Sequence, residues 1–227
     1  MRAVTLTDLE PAALDQAGRA GWVADHVRRS ILDGTHGLGT RLSEPQICRE
    51  LHVSRNTLRE AFRALTEERL VVHRLNRGVF VRVPTTADVT ELYDARRLVE
   101  CAAVARHPGG HAGLERVAET LERAQATAAV GDWVGVGTAD IDFHRELTAL
   151  ASTRIVTLMQ SVWNEMRLAF HVVADLDAFH GSYLRRNHEI LDVLVERGGN
   201  VAAPMLRAYL DEAEQRVLAA YRVREAG

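Results

Sequence analysis

Arginine side chains recur at a helical spacing in the first third of the chain. Arg55, Arg59 and Arg63 are four residues apart, so on a helix they project from one side. Asn56 and Thr57 follow the first of them. Arginine can hold guanine O6 and N7 with two hydrogen bonds, asparagine can pair with adenine, and threonine offers a hydroxyl and a methyl group. These residue types at this spacing predict a helix that reads duplex DNA.

A second pair of chemically capable residues occurs in the other half of the chain. Asp140 and His144 are also four residues apart, and on one helical face they could supply two ligands of a single metal ion. A carboxylate and an imidazole suit Zn, Ni or Mn. The alternative is a buried Asp–His hydrogen bond without an ion. The spacing alone leaves both interpretations open.

The arginine-bearing helix needs a cap, a core face and a partner helix. Ser54 is placed to cap it. Its apolar positions follow the helical period, at Leu58, Ala61, Phe62 and Leu65. A shorter helix before it starts at Ser43, with Gln46 as the reciprocal partner in a capping box. Two helices joined by a short turn, the second one basic at its start, indicate a helix-turn-helix.

Two short β-branched stretches follow, separated by the turn "LNRG". They predict a hairpin in which Gly78 takes a positive φ. Arg77, at the tip of such a wing, can reach the minor groove or a phosphate. Residues 20–84 are therefore predicted to form a winged helix-turn-helix, preceded by an N-terminal arm at residues 1–19.

The composition indicates which part of the chain faces a polyanion and in which compartment we expect the protein. The net charge of −3 divides into +3 for residues 1–84 and −6 for residues 85–227, so only the first part is expected to face a polyanion. No apolar run is long enough to span a bilayer, and the N-terminal residues do not form a signal peptide. Cys48 and Cys101 are far apart and are expected to be reduced. We expect a cytoplasmic protein.

Residues 88–227 follow a Pro/Thr junction and have helical periodicity throughout. No stretch alternates with a period of two. This pattern predicts an antiparallel bundle of about six helices. The fold class is therefore mainly α, with an N-terminal winged helix-turn-helix and a C-terminal helical bundle.

The segments "SRNTLREAFRALTEERLV" and "NRGVFV" resemble the GntR family of bacterial transcription regulators. The resemblance implies that Arg55, Asn56, Thr57 and Arg59 contact operator DNA. Arg63, on the same polar side of the helix, is also expected to bind DNA. It also assigns Arg77 and Gly78 to the wing. Two positions depart from the family pattern: Pro45 stands where many relatives have arginine, and Arg69 replaces a usual glycine.

The segments "DARRLVE", "DIDFHREL" and "NHEILDVL" resemble the FCD domain of the FadR-like branch of that family. In many FCD domains one Asp and three His hold a divalent metal to which a carboxylate effector binds. Asp140 and His144 match two of these ligands. The third falls on Asn187 or His188, depending on the register, and Tyr209 replaces the fourth.

The resemblance also gives Arg96 a role in binding an effector carboxylate, with an ion pair to Glu100 as the alternative. Without a metal, Tyr209 would form a hydrogen-bonding wall for a larger, more apolar effector. Arg96, Asn187 and Tyr209 are therefore the expected effector-binding residues, and Asp140, His144 and His188 the expected metal ligands.

Taken together, these features predict a ligand-responsive repressor that a small carboxylate effector releases from DNA. It would act as a homodimer on a pseudo-palindromic operator, with half-sites about 34–36 Å apart or closer. Two alternatives are kept. One is a small metal-dependent hydrolase using Asp140, His144 and His188, although no nucleophile motif or HExxH is present. The other is an architectural DNA-binding protein without a ligand.

Overall fold

The computed structural model describes residues 16–226, and the chain divides into two units, Met1–Val83 and Pro84–Gly227. The described part is predominantly helical, with one small sheet in the first unit. This confirms the mainly α fold class with a winged helix-turn-helix followed by a helical bundle. Of the predicted N-terminal arm, residues 16–19 belong to the first helix and the rest lies outside the described residues.

From residue 16 onwards, the first unit contains three helices and three strands: α1 (Gln16–Leu32), β1 (Arg41–Leu42), α2 (Glu44–Glu50), α3 (Arg55–Glu67), β2 (Val71–Arg74) and β3 (Gly78–Val81). Helices α2 and α3 pack on each other, and α1 packs along α3. Val23, Val27 and Ile31 of α1 are buried, and so are Leu58 and Leu65 of α3, the helix against which α1 packs.

The caps of α2 and α3 differ. The Ser54 hydroxyl accepts a hydrogen bond from the Thr57 amide over 3.1 Å, as predicted. The capping box predicted at Ser43 is wrong, because the Ser43 side chain makes no cap hydrogen bond. Pro45 is the second helical residue, whereas a capping box uses the amide and side chain of the third, Gln46. Gln46 instead donates to Glu50 over 2.8 Å.

The three strands form an antiparallel sheet in the order β1-β3-β2. Strands β2 and β3 are the predicted hairpin. Its turn holds Asn76 at φ 57° and Gly78 at φ 100°, so the positive φ expected at Gly78 is present. The sequence did not reveal β1, because two residues are too few to show an alternating pattern.

The second unit contains six helices within the described residues: α4 (Thr86–Ala105), α5 (Glu115–Ala129), α6 (Trp133–Ala149), α7 (Thr153–Phe170), α8 (Leu176–Arg197) and α9 (Gly199–Ala226). Helix α6 is central, since it packs against α4, α5, α7 and α8, while α9 packs along α4 and α8. A bundle of about six helices is thereby confirmed. No helix of the described chain is long and apolar enough to cross a membrane.

The junction between α8 and α9 requires glycine. Gly198 ends α8 at φ 78°, and α9 begins at the next residue. A Cβ atom on Gly199 would lie 1.8 Å from the carbonyl oxygen of Val104. The Gly199 amide donates to the His107 carbonyl over 2.8 Å. This close approach holds the start of α9 against the end of α4.

Candidate functional sites

Helix α3 presents its basic residues to solvent. Arg55, Asn56, Arg59 and Arg63 are all exposed. Thr57 is not: it is only 6% exposed, and its hydroxyl lies 2.9 Å from the Ser54 hydroxyl. A side chain that completes the cap and packs inward does not fit the base contact expected of it. Thr57 therefore positions the first turn of α3, while Arg55, Asn56, Arg59 and Arg63 remain open to solvent.

Two of these arginines have acidic neighbours. Arg59 Nε lies 3.6 Å from Glu44 Oε2, and Arg63 Nη1 lies 2.8 Å from Glu60 Oε1. Both pairs are largely exposed, and exposed pairs contribute only about 0–1 kcal/mol. A phosphate could replace either carboxylate at little cost. Arg55 is also exposed and lies in the first turn, where backbone amides favour an anion.

The wing contains more cationic side chains than the sequence pattern indicated. Arg77 is exposed in the turn, as expected. Arg41 on β1 is exposed and lies beside the turn. Its Nε is 3.4 Å from the position that a Cβ atom on Gly78 would occupy. The Arg74 guanidinium stacks over the Phe80 ring at 4.7 Å. Arg41 was missed because only the pairing of β1 with β3 places it at the wing. Arg74 lies within the predicted hairpin but was not singled out.

Inside the helical unit, seven polar or aromatic side chains form one buried cluster contributed by five helices. They are Arg96 and Glu100 of α4, Asp140 and His144 of α6, Trp163 of α7, Asn187 of α8, and Tyr209 of α9. The central position of α6 brings them together. Asp140 and His144 face α8 and α9 on one side, and His144 faces α4 on the other.

Glu100 contacts three other members of the cluster on the α4 side. Its Oε1 accepts from Arg96 Nε over 2.9 Å and from Trp163 Nε1 over 3.3 Å, while its Oε2 lies 2.7 Å from His144 Nδ1. Burial alone would raise the pKa of Glu100, but the Arg96 guanidinium and His144 outweigh that effect and lower it to about 2. The Arg96–Glu100 pair is thus a buried ion pair with both partners essentially inaccessible to solvent.

Asp140 is satisfied from the other side. Its Oδ1 accepts from the Tyr209 hydroxyl over 2.9 Å and from Asn187 Nδ2 over 2.6 Å. The same Tyr209 hydroxyl lies 3.2 Å from His144 Nε2, and the Asp140 oxygen is 4.0 Å from that nitrogen. Burial, and then the neighbouring Asp140, raises the pKa of Tyr209 well above its ordinary value. Tyr209 is therefore a neutral phenol at physiological pH.

Apart from the close Glu100–His144 contact, two buried atoms of the cluster have no hydrogen-bond partner among the described residues. They are Nη2 of Arg96, a donor, and Oδ1 of Asn187, an acceptor. Arg96 is 1% exposed and so is Asn187. Buried polar groups are almost always paired, and an unpaired one costs about 1–3 kcal/mol. These two atoms are available to a polar ligand.

Aromatic rings surround the cluster on the α8 side. Tyr183 packs against Tyr209 with ring centroids 4.8 Å apart, and Phe179 packs against Tyr183 at 4.9 Å. The Arg186 guanidinium lies over the Tyr209 ring at 5.3 Å. The sequence pattern gives no sign of this role for Tyr183, because one tyrosine in an apolar helix face has the same pattern as a core residue.

The structure decides the register that the sequence left open between Asn187 and His188. Asn187 enters the cluster, whereas His188 Nε2 lies 2.8 Å from Gln125 Nε2 on α5, outside it. Within the described part of the chain, no three His, Cys, Asp or Glu side chains are placed to hold a metal ion. The residues around Asp140 and His144 are an amide and a neutral phenol, and a neutral phenol is a poor ligand. This donor set does not fit the expected Zn, Ni or Mn site.

Comparison with known proteins gives a family match in each of the two units. Residues 20–81 match the gntR family of bacterial regulatory proteins, and residues 91–212 match the FCD domain. The chain belongs to the GntR family of bacterial regulators, in the branch whose C-terminal domain is an FCD domain. It is a ligand-responsive, DNA-binding transcription regulator.

Two relatives and one solved structure illustrate the match. The chain is 27% identical to the HTH-type transcriptional repressor RspR of Escherichia coli K12 over 206 residues, covering 84% of this chain and 85% of that protein. It is 27% identical to the gluconate operon transcriptional repressor of Bacillus licheniformis over 159 residues, 68% of this chain and 63% of that one. A crystal structure of a GntR transcriptional regulator from Rhodococcus sp. RHA1 is 54% identical, with a TM-score of 0.85 and coverage of 89% and 99%.

Proposed function

We propose that this regulator is a repressor and that a small carboxylate bound at the buried cluster releases it from DNA. The observation that carries the proposal is Arg96. Its Nε is used by Glu100, and its Nη2 has no partner in the described structure. A guanidinium with a free N–H is a strong hydrogen-bond donor for a carboxylate. Two relatives are named as transcriptional repressors, which supports the sign of regulation.

Asn187 supports the same ligand class from the opposite side. Its Oδ1 can accept a hydrogen bond from a hydroxyl or amino group of the ligand. The tyrosine and phenylalanine rings of α8 provide apolar contact for the rest of the molecule. A hydroxy or amino carboxylate would satisfy both atoms, and the name of one relative refers to a gluconate operon.

The cluster also explains why a ligand could alter the bundle. Its hydrogen bonds join α4, α6, α7, α8 and α9, so a ligand that inserts between Arg96 and Asn187 would act on several helices together. DNA affinity changes only if the ligand prefers one arrangement of the protein over another. We propose that the active form is a homodimer, because two α3 helices are needed to read two half-sites.

We also propose that the chain has no enzymatic role. A metal-dependent hydrolase would need Asp140, His144 and His188 together, and His188 contacts Gln125 instead. An architectural protein without a ligand is disfavoured by the buried Arg96–Glu100 pair, because burying charge costs free energy that dimerisation does not require.

The test is release of labelled operator DNA, measured by fluorescence anisotropy, across a panel of small hydroxy, amino and simple carboxylates. We expect one chemical class to weaken binding of the native protein and to raise its melting temperature. In an Arg96→Gln/Glu100→Gln double variant, which removes both charges together, DNA binding should remain and the ligand response should be lost. Arg116→Ala, which changes an exposed arginine of α5, is the control and should respond like the native protein. A full response in the double variant would contradict the assignment of Arg96.

A further inference from the structure

The polar contacts of Asp140 carry an inference about how the cluster is held together. A divalent ion shared by Asp140 and His144 would lie within about 2.0–2.2 Å of the carboxylate oxygen and the ring nitrogen. The carboxylate oxygen that faces His144 is Oδ1, at 4.0 Å from Nε2. Oδ1 is also the atom on which two hydrogen-bond donors converge.

Those donors present a hydrogen atom, whereas a metal ligand presents a lone pair. Asn187 directs its Nδ2 group, rather than its oxygen, towards Oδ1 over 2.6 Å, and the Tyr209 hydroxyl donates over 2.9 Å. Both donors place partial positive charge against the carboxylate, where a cation would otherwise lie. One N–H donor and one O–H donor placed in this way stabilise the charged form of a buried carboxylate without any ion.

Helix α8 and the residues around Tyr209 hold this arrangement. The Tyr209 ring contacts His144 at 5.1 Å and Tyr183 at 4.8 Å between centroids, and the Arg186 guanidinium lies over it. The nearest histidine on α8 in sequence, His188, is turned towards Gln125. No small rotation of α8 could replace Asn187 by His188, because consecutive residues on a helix point about 100° apart.

We propose that the cluster is metal-independent, with Asn187 and Tyr209 providing by hydrogen bonds the stabilisation of Asp140 that a cation would supply. Asp140 and His144 are then two members of a four-ligand coordination set whose other two members are absent. Replacing Asn187 and Tyr209 with histidine would supply an Asp and three His on three helices, and the site would gain a metal. This inference depends on the contacts of Asp140, and it stands or falls separately from the proposed effector.

The experiment is metal analysis of the untagged full-length chain. The native protein and an Asn187→His/Tyr209→His variant are each incubated with Zn²⁺, Ni²⁺ or Mn²⁺, dialysed against metal-free buffer and analysed by mass spectrometry for metal content. We expect little retained metal in the native protein and about one ion per chain in the double variant. The gain should be lost when His144→Gln is added. Circular dichroism verifies that each variant is folded.

A second measurement uses only the native chain, so that the inference remains testable if the double variant does not fold. Adding EDTA to protein saturated with each ion should leave its melting temperature unchanged. About one ion retained per native chain, with a melting temperature that falls in EDTA and a loss of the ion in His144→Gln, would overturn the proposal. A folded double variant that binds no metal would also overturn it, because Asn187 and Tyr209 would then not be what distinguishes the site.

Discussion

The hydroxyl of Tyr209 donates a hydrogen bond to Asp140 Oδ1 over 2.9 Å, between a residue of α9 and a residue of α6 that are 69 positions apart in sequence. Both side chains are buried. The bond connects the last helix of the bundle to its central helix through a carboxylate oxygen that also accepts a hydrogen bond from Asn187.

Tyr209→Phe should lower the free energy of unfolding of the helical unit. The substitution keeps the ring and removes one donor to a buried carboxylate, so the expected loss is about 1–3 kcal/mol. Urea unfolding followed by circular dichroism measures it. The same substitution in an Asp140→Ala background should cost much less. Equal losses in the two backgrounds would show that the hydroxyl stabilises the protein through some other contact.

Glu100→Gln should be among the more damaging single substitutions in this unit. It leaves the Arg96 charge buried without its partner, and breaking such a pair costs about 3–5 kcal/mol. The Arg96→Gln/Glu100→Gln double variant removes both charges and should recover part of the loss. Arg116→Ala, at an exposed pair of 3.8 Å, should change stability by less than about 0.5 kcal/mol. If Glu100→Gln were as mild as Arg116→Ala, the ion pair would contribute little.

The lowered pKa of Glu100 makes a prediction about acid. Because the folded-state pKa is about 2, below the ordinary value of 4.5, the charged form is favoured by folding. Its contribution is fully present above pH 4.5 and is lost as the pH falls through about 2. The stability difference between the native protein and Glu100→Gln should therefore shrink as the pH falls from about 5 to about 2. A difference that stays constant over this range would contradict the shift.

Two glycines should respond to alanine in opposite ways. Gly199→Ala would place a Cβ atom against the Val104 carbonyl and should destabilise the junction of α4, α8 and α9 severely. Gly21 lies inside α1, and a Cβ atom added there would meet nothing within 4 Å, so Gly21→Ala should stabilise by about 0.5–1 kcal/mol. Thermal unfolding measures both. A harmless Gly199→Ala would show that α9 starts further from α4.

Much of this architecture could be read from local patterns. The apolar spacing of α3, its Ser54 cap and the wing glycine each depend on residues near one another in sequence, so they were predictable. The capping box at Ser43 failed, and the Gln46 side chain that would complete it donates to Glu50 instead. Strand β1, and with it Arg41, depends on pairing with a strand far along the chain, where Arg41 lies opposite Phe80.

The buried cluster was only partly predictable for the same reason. Asp140 and His144 share a helix, and their spacing indicated a common face. Whether Asn187 or His188 joined them depended on the rotation of α8 about its own axis, which tertiary packing sets. Thr57 is likewise buried with its hydroxyl paired to Ser54, a contact that residue type alone does not reveal.

The most direct test of the whole account is selection of bound duplexes from a random DNA library by the native protein and by variants of α3. Arg55→Ala and Arg59→Ala should each weaken binding by about 1–3 kcal/mol and relax base preference, whereas Thr57→Val should leave the preferred sequence unchanged. We predict one enriched motif for the native protein, built from two related half-sites, and its loss in the arginine variants. No enriched motif, or the same motif at the same affinity with both arginines removed, would contradict the assignment of α3 as the DNA-reading helix.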